Sequence, residues 1–331
     1  MISSYGVGRY QAAEADVLFT PHGWIPNRTI RGVVYCHFAN GSALNPLVQG
    51  ANPGINGLLR AIVDHLGLPV ISCDLGPRQM YIGITNGSTA ITVGAGAGGT
   101  AGDAFDMDLD RAATIAAAGV PGGATITPTD ATHATLSAAA TGATGGSVLA
   151  TITRGGGGGG GGGGKTWGNA TATARVGAAI AQLQSAAYGA APGKVILLGE
   201  SMGGINALNY AKANLANVAA LVGIVPVLGL LDIYNNNRGG GAPDITLAHG
   251  GAPPAAADPS TNPALWAGLP MQLWASAGDT ICLLSVAQAF AAAAGPSCQL
   301  NTIVGAPPHG DSAVAAVPAS AVLAFMQAHA A

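Results

Sequence analysis

The chain has 331 residues, enough to bury a full core, and its net charge of −3 gives no electrostatic reason to expect a nucleic-acid partner. Hydrophobic residues make up 49% and charged residues only 8%, yet no apolar run reaches the roughly 18–20 residues of a membrane span. Aromatics stand at 5% against 52 glycines, so the core must rest on small and aliphatic side chains, and the opening residues lack the basic start and apolar stretch of a signal peptide.

Residues 15–20 and 31–37 read as the first strands, separated by a turn-rich 21–29. Residues 56–67, NGLLRAIVDHLG, predict an amphipathic helix with Leu58, Leu59, Ile62 and Leu66 on one face. The short apolar run 68–74, LPVISCD, is the next buried strand. Such β–α–β alternation predicts an α/β fold, a mostly parallel sheet with helices on both faces.

The pattern breaks at 76–154, where Thr, Ser, Ala and Gly alternate with apolar residues at period two, predicting an inserted small all-β module. Residues 155–164 are all glycine. With Lys165-Thr166 they satisfy the letter of a phosphate-binding loop, G-x-x-x-x-G-K-[ST]. Any glycine run before Lys-Thr does so, and a chain without side chains is a linker rather than a pre-formed phosphate nest. No nucleotide or other cofactor is therefore expected.

Residues 167–188 resume as an alanine-rich helix with Asn169 as its N-cap, and the run 195–198 is a buried strand. The text then reads GESMG before helical spacing returns at 205–211. Further on, 218–230 predicts a strand and 231–267, rich in Asn, Gly and Pro, an irregular lid. A strand at 271–275, a helix at 284–294, a strand at 298–304 and a closing helix at 312–328 complete the chain. The implied plan is an α/β domain from 1–75 and 165–331, an inserted module at 76–154 and a glycine linker at 155–164. Cys36 and Cys73 fall in strands and read as core thiols, while Cys282 and Cys298 flank a helix and leave a bridge between them open. None of the four has zinc spacing, so no metal is expected.

The chemistry concentrates at GESMG. A strand, a tight glycine turn and a helix place Ser201 at an apex above the sheet edge, beside the amides of a helix N-terminus. A serine needs a general base, itself oriented by a carboxylate. Of seven histidines, His309, in the loop GAPPHGDSA after the last strand, returns to the same sheet edge as Ser201. His65 lies in a helix, His133 in the insert, His329 at the terminus, His22 in an early loop, His249 in the lid and His37 at a strand end. Asp279, in the turn SAGDT after strand 271–275, is the candidate carboxylate, with Asp232 its rival. Asp311 is too close in sequence to His309 to face its ring.

With GESMG, SAGDT and PPHGD in the order Ser201, Asp279, His309, the chain resembles the α/β-hydrolase-fold serine esterases over residues 15–75 and 167–330. The resemblance implies an oxyanion hole with one amide from Met202 and a second from the loop after an early strand. That loop usually begins His-Gly; here it is His37-Phe38-Ala39, which leaves the second donor open between Phe38 and Ala39. Pieces of the insert, GSTAITV at 87–93, Phe105 with 108–110, GVPGGATI at 119–126 and ATLS at 134–137, resemble a β-sandwich unit that recurs in phage tail and large bacterial surface proteins. The two resemblances together imply a carboxylesterase or lipase-like enzyme acting on host-envelope esters as part of a phage tail or virion, or a secreted or cell-surface esterase. They equally imply possible virion or surface partners for the insert. The opposing expectation is a non-catalytic virion protein that retains the hydrolase fold. Leu247, Leu265 and Trp266 in the lid lean toward acyl or lipid-like substrates.

Overall fold

The computed structural model describes residues 6–8, 16–26, 28–39, 53–73, 78–93, 114–130, 132–141, 147–153 and 165–330. The glycine run and Phe105 with 108–110 lie outside the described residues.

Short apolar runs form one eight-stranded sheet. Its strands are β1 (Gly6–Gly8), β2 (Val17–Thr20), β3 (Val33–Cys36) and β4 (Val70–Cys73), followed, beyond the insert, by β11 (Val195–Glu200), β12 (Val218–Ile224), β13 (Met271–Ala275) and β14 (Cys298–Thr302). The spatial order is β1-β2-β4-β3-β11-β12-β13-β14. Only the β1–β2 and β2–β4 pairs are antiparallel; every other neighbour in this sheet is parallel. Alternate residues feed two separate cores. Val33, Tyr35, Ile196 and Leu198 pack on α1 (Pro53–Leu66) and α8 (Ala319–Ala328), while Val34, Cys36 and Leu197 pack on α2 (Ala170–Leu183), α3 (Met202–Ala213) and α6 (Leu284–Ala294). Cover on both faces is why the central strands β3 (VVYC) and β12 (VAALVGI) are buried along their whole length rather than alternating, whereas the edge strand β14 (CQLNT) is not.

Winding from β3 runs one way, through α1 to β4, and from β11 the other way, through α3 to β12. β3 and β11 are neighbours, so their carboxyl ends open a crevice at a topological switch point, where open α/β sheets bind ligands. The loop 37–39 and Ser201 flank that crevice.

Between β4 and α2, the described strands from 78 to 153 form a second sheet. It contains β5 (Arg78–Ile84), β6 (Ala90–Val93), β7 (Thr114–Ala117), β8 (Ile126–Pro128), β9 (His133–Leu136) and β10 (Ser147–Thr153), in the order β7-β10-β5-β6-β9-β8. All its pairings are antiparallel. Ile82, Ile84, Ile91, Ile115, Ile126, Leu136 and Ile152 gather into a core cluster that shares no residue with the other two. A sandwich would pack two sheets face to face. Here the described strands make one sheet that curls until the Ile115 amide donates to the Ala124 carbonyl at 2.9 Å, close to β8.

Three other expectations change. The apolar run 218–230 is a strand only to Ile224, because Val225 has φ 41° and Pro226 follows, and the chain turns to begin α4 (Leu230–Asn235). The closing helix divides into α7 (Asp311–Ala315) and α8 at Pro318, which has no amide to donate. The segment 231–267 is not loose: it holds α4, α5 (Ala242–His249) and short 3-10 turns. Ile245, Ala257 and Trp266 from this segment are buried in the core with α3 and α6. The Trp266 indole donates to the Leu208 carbonyl at 2.9 Å and its ring lies 5.6 Å from Phe290, so it faces the interior and is not available to a substrate. None of the four cysteines is in a disulfide, and Cys36 and Cys73 are buried as read; the open Cys282–Cys298 bridge is not formed.

Candidate active site

The site begins with the turn after β11. Ser201 has φ 51° and ψ −119°, a conformation that side chains rarely adopt. It is held there by three backbone bonds: its amide donates to the Ile224 carbonyl (3.0 Å), and its carbonyl accepts from the amides of Gly204 (2.9 Å) and Val227 (3.0 Å). The glycines of GESMG are required by close approach. A Cβ on Gly203 would lie 1.9 Å from the Cys36 carbonyl oxygen, and one on Gly199 2.6 Å from the Gly203 oxygen. That contact presses the start of α3 against the end of β3, and with it the 37–39 loop against the elbow.

The structure brings Ser201, His309 and Asp279 together. Ser201 Oγ lies 2.8 Å from His309 Nε2, and His309 Nδ1 lies 2.6 Å from Asp279 Oδ2. An ionised carboxylate has no proton to give, so Nδ1 carries the hydrogen and Nε2 faces the hydroxyl as an acceptor. The Asp279 side chain is fully buried and that of His309 is 16% exposed. Burial is offset by hydrogen bonding: Asp279 Oδ1 accepts from the amides of Ile281 and Cys282, both at 2.8 Å.

Two residues of SAGDT that sequence reasoning passed over join the acid turn to the histidine loop. Ser276 Oγ donates to the Pro307 carbonyl at 2.5 Å, and a Cβ on Gly278 would come within 2.0 Å of the Ala306 oxygen. The two loops therefore touch backbone to backbone, which fixes the spacing of Asp279 and His309. The serine and glycine of SAGDT were visible in the sequence; which loop they met was not.

The rivals are engaged elsewhere. Asp232 accepts from Arg238 Nε (2.5 Å) and Nη2 (3.2 Å), and Asp311 accepts from the Gly54 amide (3.1 Å) in the first turn of α1. His249 Nε2 lies on the Trp167 carbonyl at 3.0 Å, and His133 pairs with Asp130 on the second sheet. His37 is fully buried with Nδ1 on the Phe38 carbonyl at 2.8 Å, and burial lowers its pKa to about 4, so it is neutral. Fixing the Phe38 carbonyl in this way also turns the Ala39 amide to the opposite side of the same trans peptide.

Met202 opens α3, at the positive end of the helix, directly after the serine. Phe38 and Ala39 are half-buried on the neighbouring loop. Sequence reasoning also missed Glu200. It is buried on the opposite face of β11, where it accepts from the Tyr35 hydroxyl at 3.1 Å. Burial, reinforced by the charge of Asp311 and opposed by the Tyr35 hydrogen bond, raises its carboxyl to about 7.

No protein-family model matches the sequence, and no curated protein matches it. Among solved structures, a bacterial heroin esterase is similar with a TM-score of 0.51 and 14% identity, over 100% of this chain and 86% of that one. A puromycin-hydrolysing peptidase from Mycobacterium tuberculosis is similar with a TM-score of 0.54 and 15% identity. That match covers 99% of this chain but only 40% of the peptidase, so the chain spans well under half of its length. The fold is that of the α/β-hydrolases. At such identities the likeness is one of architecture. In this α/β-hydrolase frame Ser201, Asp279 and His309 follow β11, β13 and β14, three strands whose carboxyl ends lie along one edge of the sheet. No described helix is long and apolar enough to cross a membrane.

Proposed function

We propose that the chain is a serine hydrolase that cleaves carboxylic esters through an acyl-enzyme. The observation that carries this reading is the continuous hydrogen-bonded chain from Ser201 Oγ through His309 to the buried Asp279. Ser201 Oγ attacks the ester carbonyl carbon and its proton passes to His309 Nε2. The tetrahedral intermediate collapses, the carbon–alkoxy bond breaks, and the leaving alkoxide takes that proton. Water then repeats the sequence and releases the acid and the free serine. Asp279 keeps the imidazole in the accepting tautomer and stabilises its charged form. The Met202 amide, with that of Phe38 or Ala39, receives the developing oxyanion, a contribution of a few kcal/mol per donor.

The second sheet is proposed as a separate module, with the α/β domain comprising 1–75 and 165–331 and the glycines 155–164 as its tether. Its own core cluster supports this. The resemblance of the insert suggests attachment of the enzyme to a virion or cell surface, with an envelope ester as substrate. The test is labelling by a fluorophosphonate probe followed by a panel of soluble and lipid esters. Covalent labelling at Ser201 with ester turnover is expected. An unlabelled protein that still binds envelopes would instead make the chain a binding protein that keeps the hydrolase fold.

A further inference from the structure

Cys282 takes no part in the reaction above. It is a buried free thiol three residues after Asp279, and its own amide helps to hold that carboxylate. The turn brings its sulfur to the same place: one ligand atom from each of Asp279, Cys282 and His309 lies within 4.8 Å of the other two. Tetrahedral zinc, with sulfur at about 2.3 Å and nitrogen or oxygen at about 2.0 Å, holds such donors roughly 3.3–3.7 Å apart. The 2.6 Å contact between Asp279 and His309 must open a little and the sulfur must swing inward, movements on the scale of side-chain rotation. We propose that Asp279, Cys282 and His309 form an inhibitory site for a thiophilic divalent cation, represented by Zn²⁺, with water as the fourth ligand.

The donor set selects the metal. Thiolate, imidazole and carboxylate together suit zinc, whereas Mg²⁺ and Ca²⁺ require an all-oxygen shell. The consequence follows from proton accounting, and it alone rests on the hydrolase reading. In the free site Nδ1 carries the hydrogen. A cation bound to Nδ1 displaces that proton, which is taken up at Nε2, where it faces Ser201 Oγ. A protonated Nε2 cannot accept the serine proton, so acylation stops. The thiol proton of Cys282 leaves to solvent, giving a net release of one proton per metal bound.

The test is a Co²⁺ titration of the full chain, read by thiolate-to-cobalt charge-transfer absorption, alongside hydrolysis of p-nitrophenyl acetate in rising Zn²⁺ with Mg²⁺ as control. The expected results are a thiolate band displaced by Zn²⁺ and inhibition by Zn²⁺ but not Mg²⁺. Cys282→Ser should show no band and, measured against its own uninhibited rate, a half-inhibition concentration raised at least about tenfold, since even indirect partners of a metal site cost that much. If Cys282→Ser does not fold, Cys282→Ala carries the same expectation. Absence of the band in the wild type, or equal inhibition of wild type and variant, overturns the site. The band does not depend on turnover: a band without esterase activity leaves the metal site standing and removes the hydrolase reading, and activity without a band does the reverse.

Discussion

Asp279→Asn isolates the orienting role of the carboxylate because the structure dictates how the amide must sit. Asp279 Oδ1 accepts from the Ile281 and Cys282 amides, and only Oδ2 faces His309 Nδ1. In the variant the amide oxygen stays on the two backbone donors, since an NH₂ group there would set donor against donor. The NH₂ is then forced toward Nδ1. His309 must present a lone pair to it and carry its hydrogen on Nε2, the tautomer that cannot accept the Ser201 proton. A loss of about 10⁴ in kcat is expected, or roughly 5–6 kcal/mol of transition-state stabilisation. The fold should be almost unaffected, because the backbone bonds survive. Asp279→Ala supplies the contrast: it leaves two amides without their acceptor, at about 1–3 kcal/mol each, and should lower the melting temperature clearly more than Asp279→Asn. Steady-state hydrolysis of a soluble ester, with thermal melts on both variants, reads the two effects separately. Turnover of Asp279→Asn within tenfold of wild type, or a larger loss from Asp232→Asn, would refute the reasoning.

Ser201→Ala should abolish ester hydrolysis with the fold intact, and Ser201→Gly should do the same while melting higher than Ser201→Ala. Only glycine adopts φ 51°, ψ −119° without strain, a difference of about 1–3 kcal/mol that calorimetry would measure. Glu200→Gln should stabilise the protein in a pH-dependent way. The native carboxyl binds its proton up to about 7 against an ordinary value of 4.5, so wild-type stability falls as pH rises through that window. The variant's advantage should be near zero below pH 4.5 and reach at most on the order of 3 kcal/mol above pH 7, in denaturant titrations at several pH values. A pH-independent difference would mean that Glu200 is ionised throughout. Excising 76–164 and joining Leu75 to Lys165 should leave a soluble protein that hydrolyses small esters, because the core of the second sheet shares no residue with the other two. Loss of small-ester activity with the fold retained would make the insert part of the catalytic domain.

The order of strands and helices and the Ser201, Asp279, His309 set were legible in the residues themselves. Both rest on local chemistry: apolar runs of strand length, a helix face at 58–62, and glycine at the two positions of GESMG where the backbone must turn and approach. The same local signals failed where a neighbour decides the outcome. The run 218–230 reads as one apolar strand, yet Val225 turns at φ 41° before Pro226 and Val227 bonds to the Ser201 carbonyl, so the strand ends at Ile224. Residues 231–267 look like a surface lid by composition, yet Trp266 and Ile245 find a core to fill once α3 and α6 are in place. Glu200 stands at a variable position of GESMG and Cys282 belongs to no motif. Their character comes from burial beside Tyr35 and Asp311 in one case and beside Asp279 and His309 in the other. Periodicity and turn chemistry are written within a few residues of chain, so the sequence by itself determined the elements and the tight turn that carries Ser201. Contacts between residues such as Gly278 and Ala306 join distant segments, and only the tertiary structure could decide which loops meet and hold Asp279 against His309.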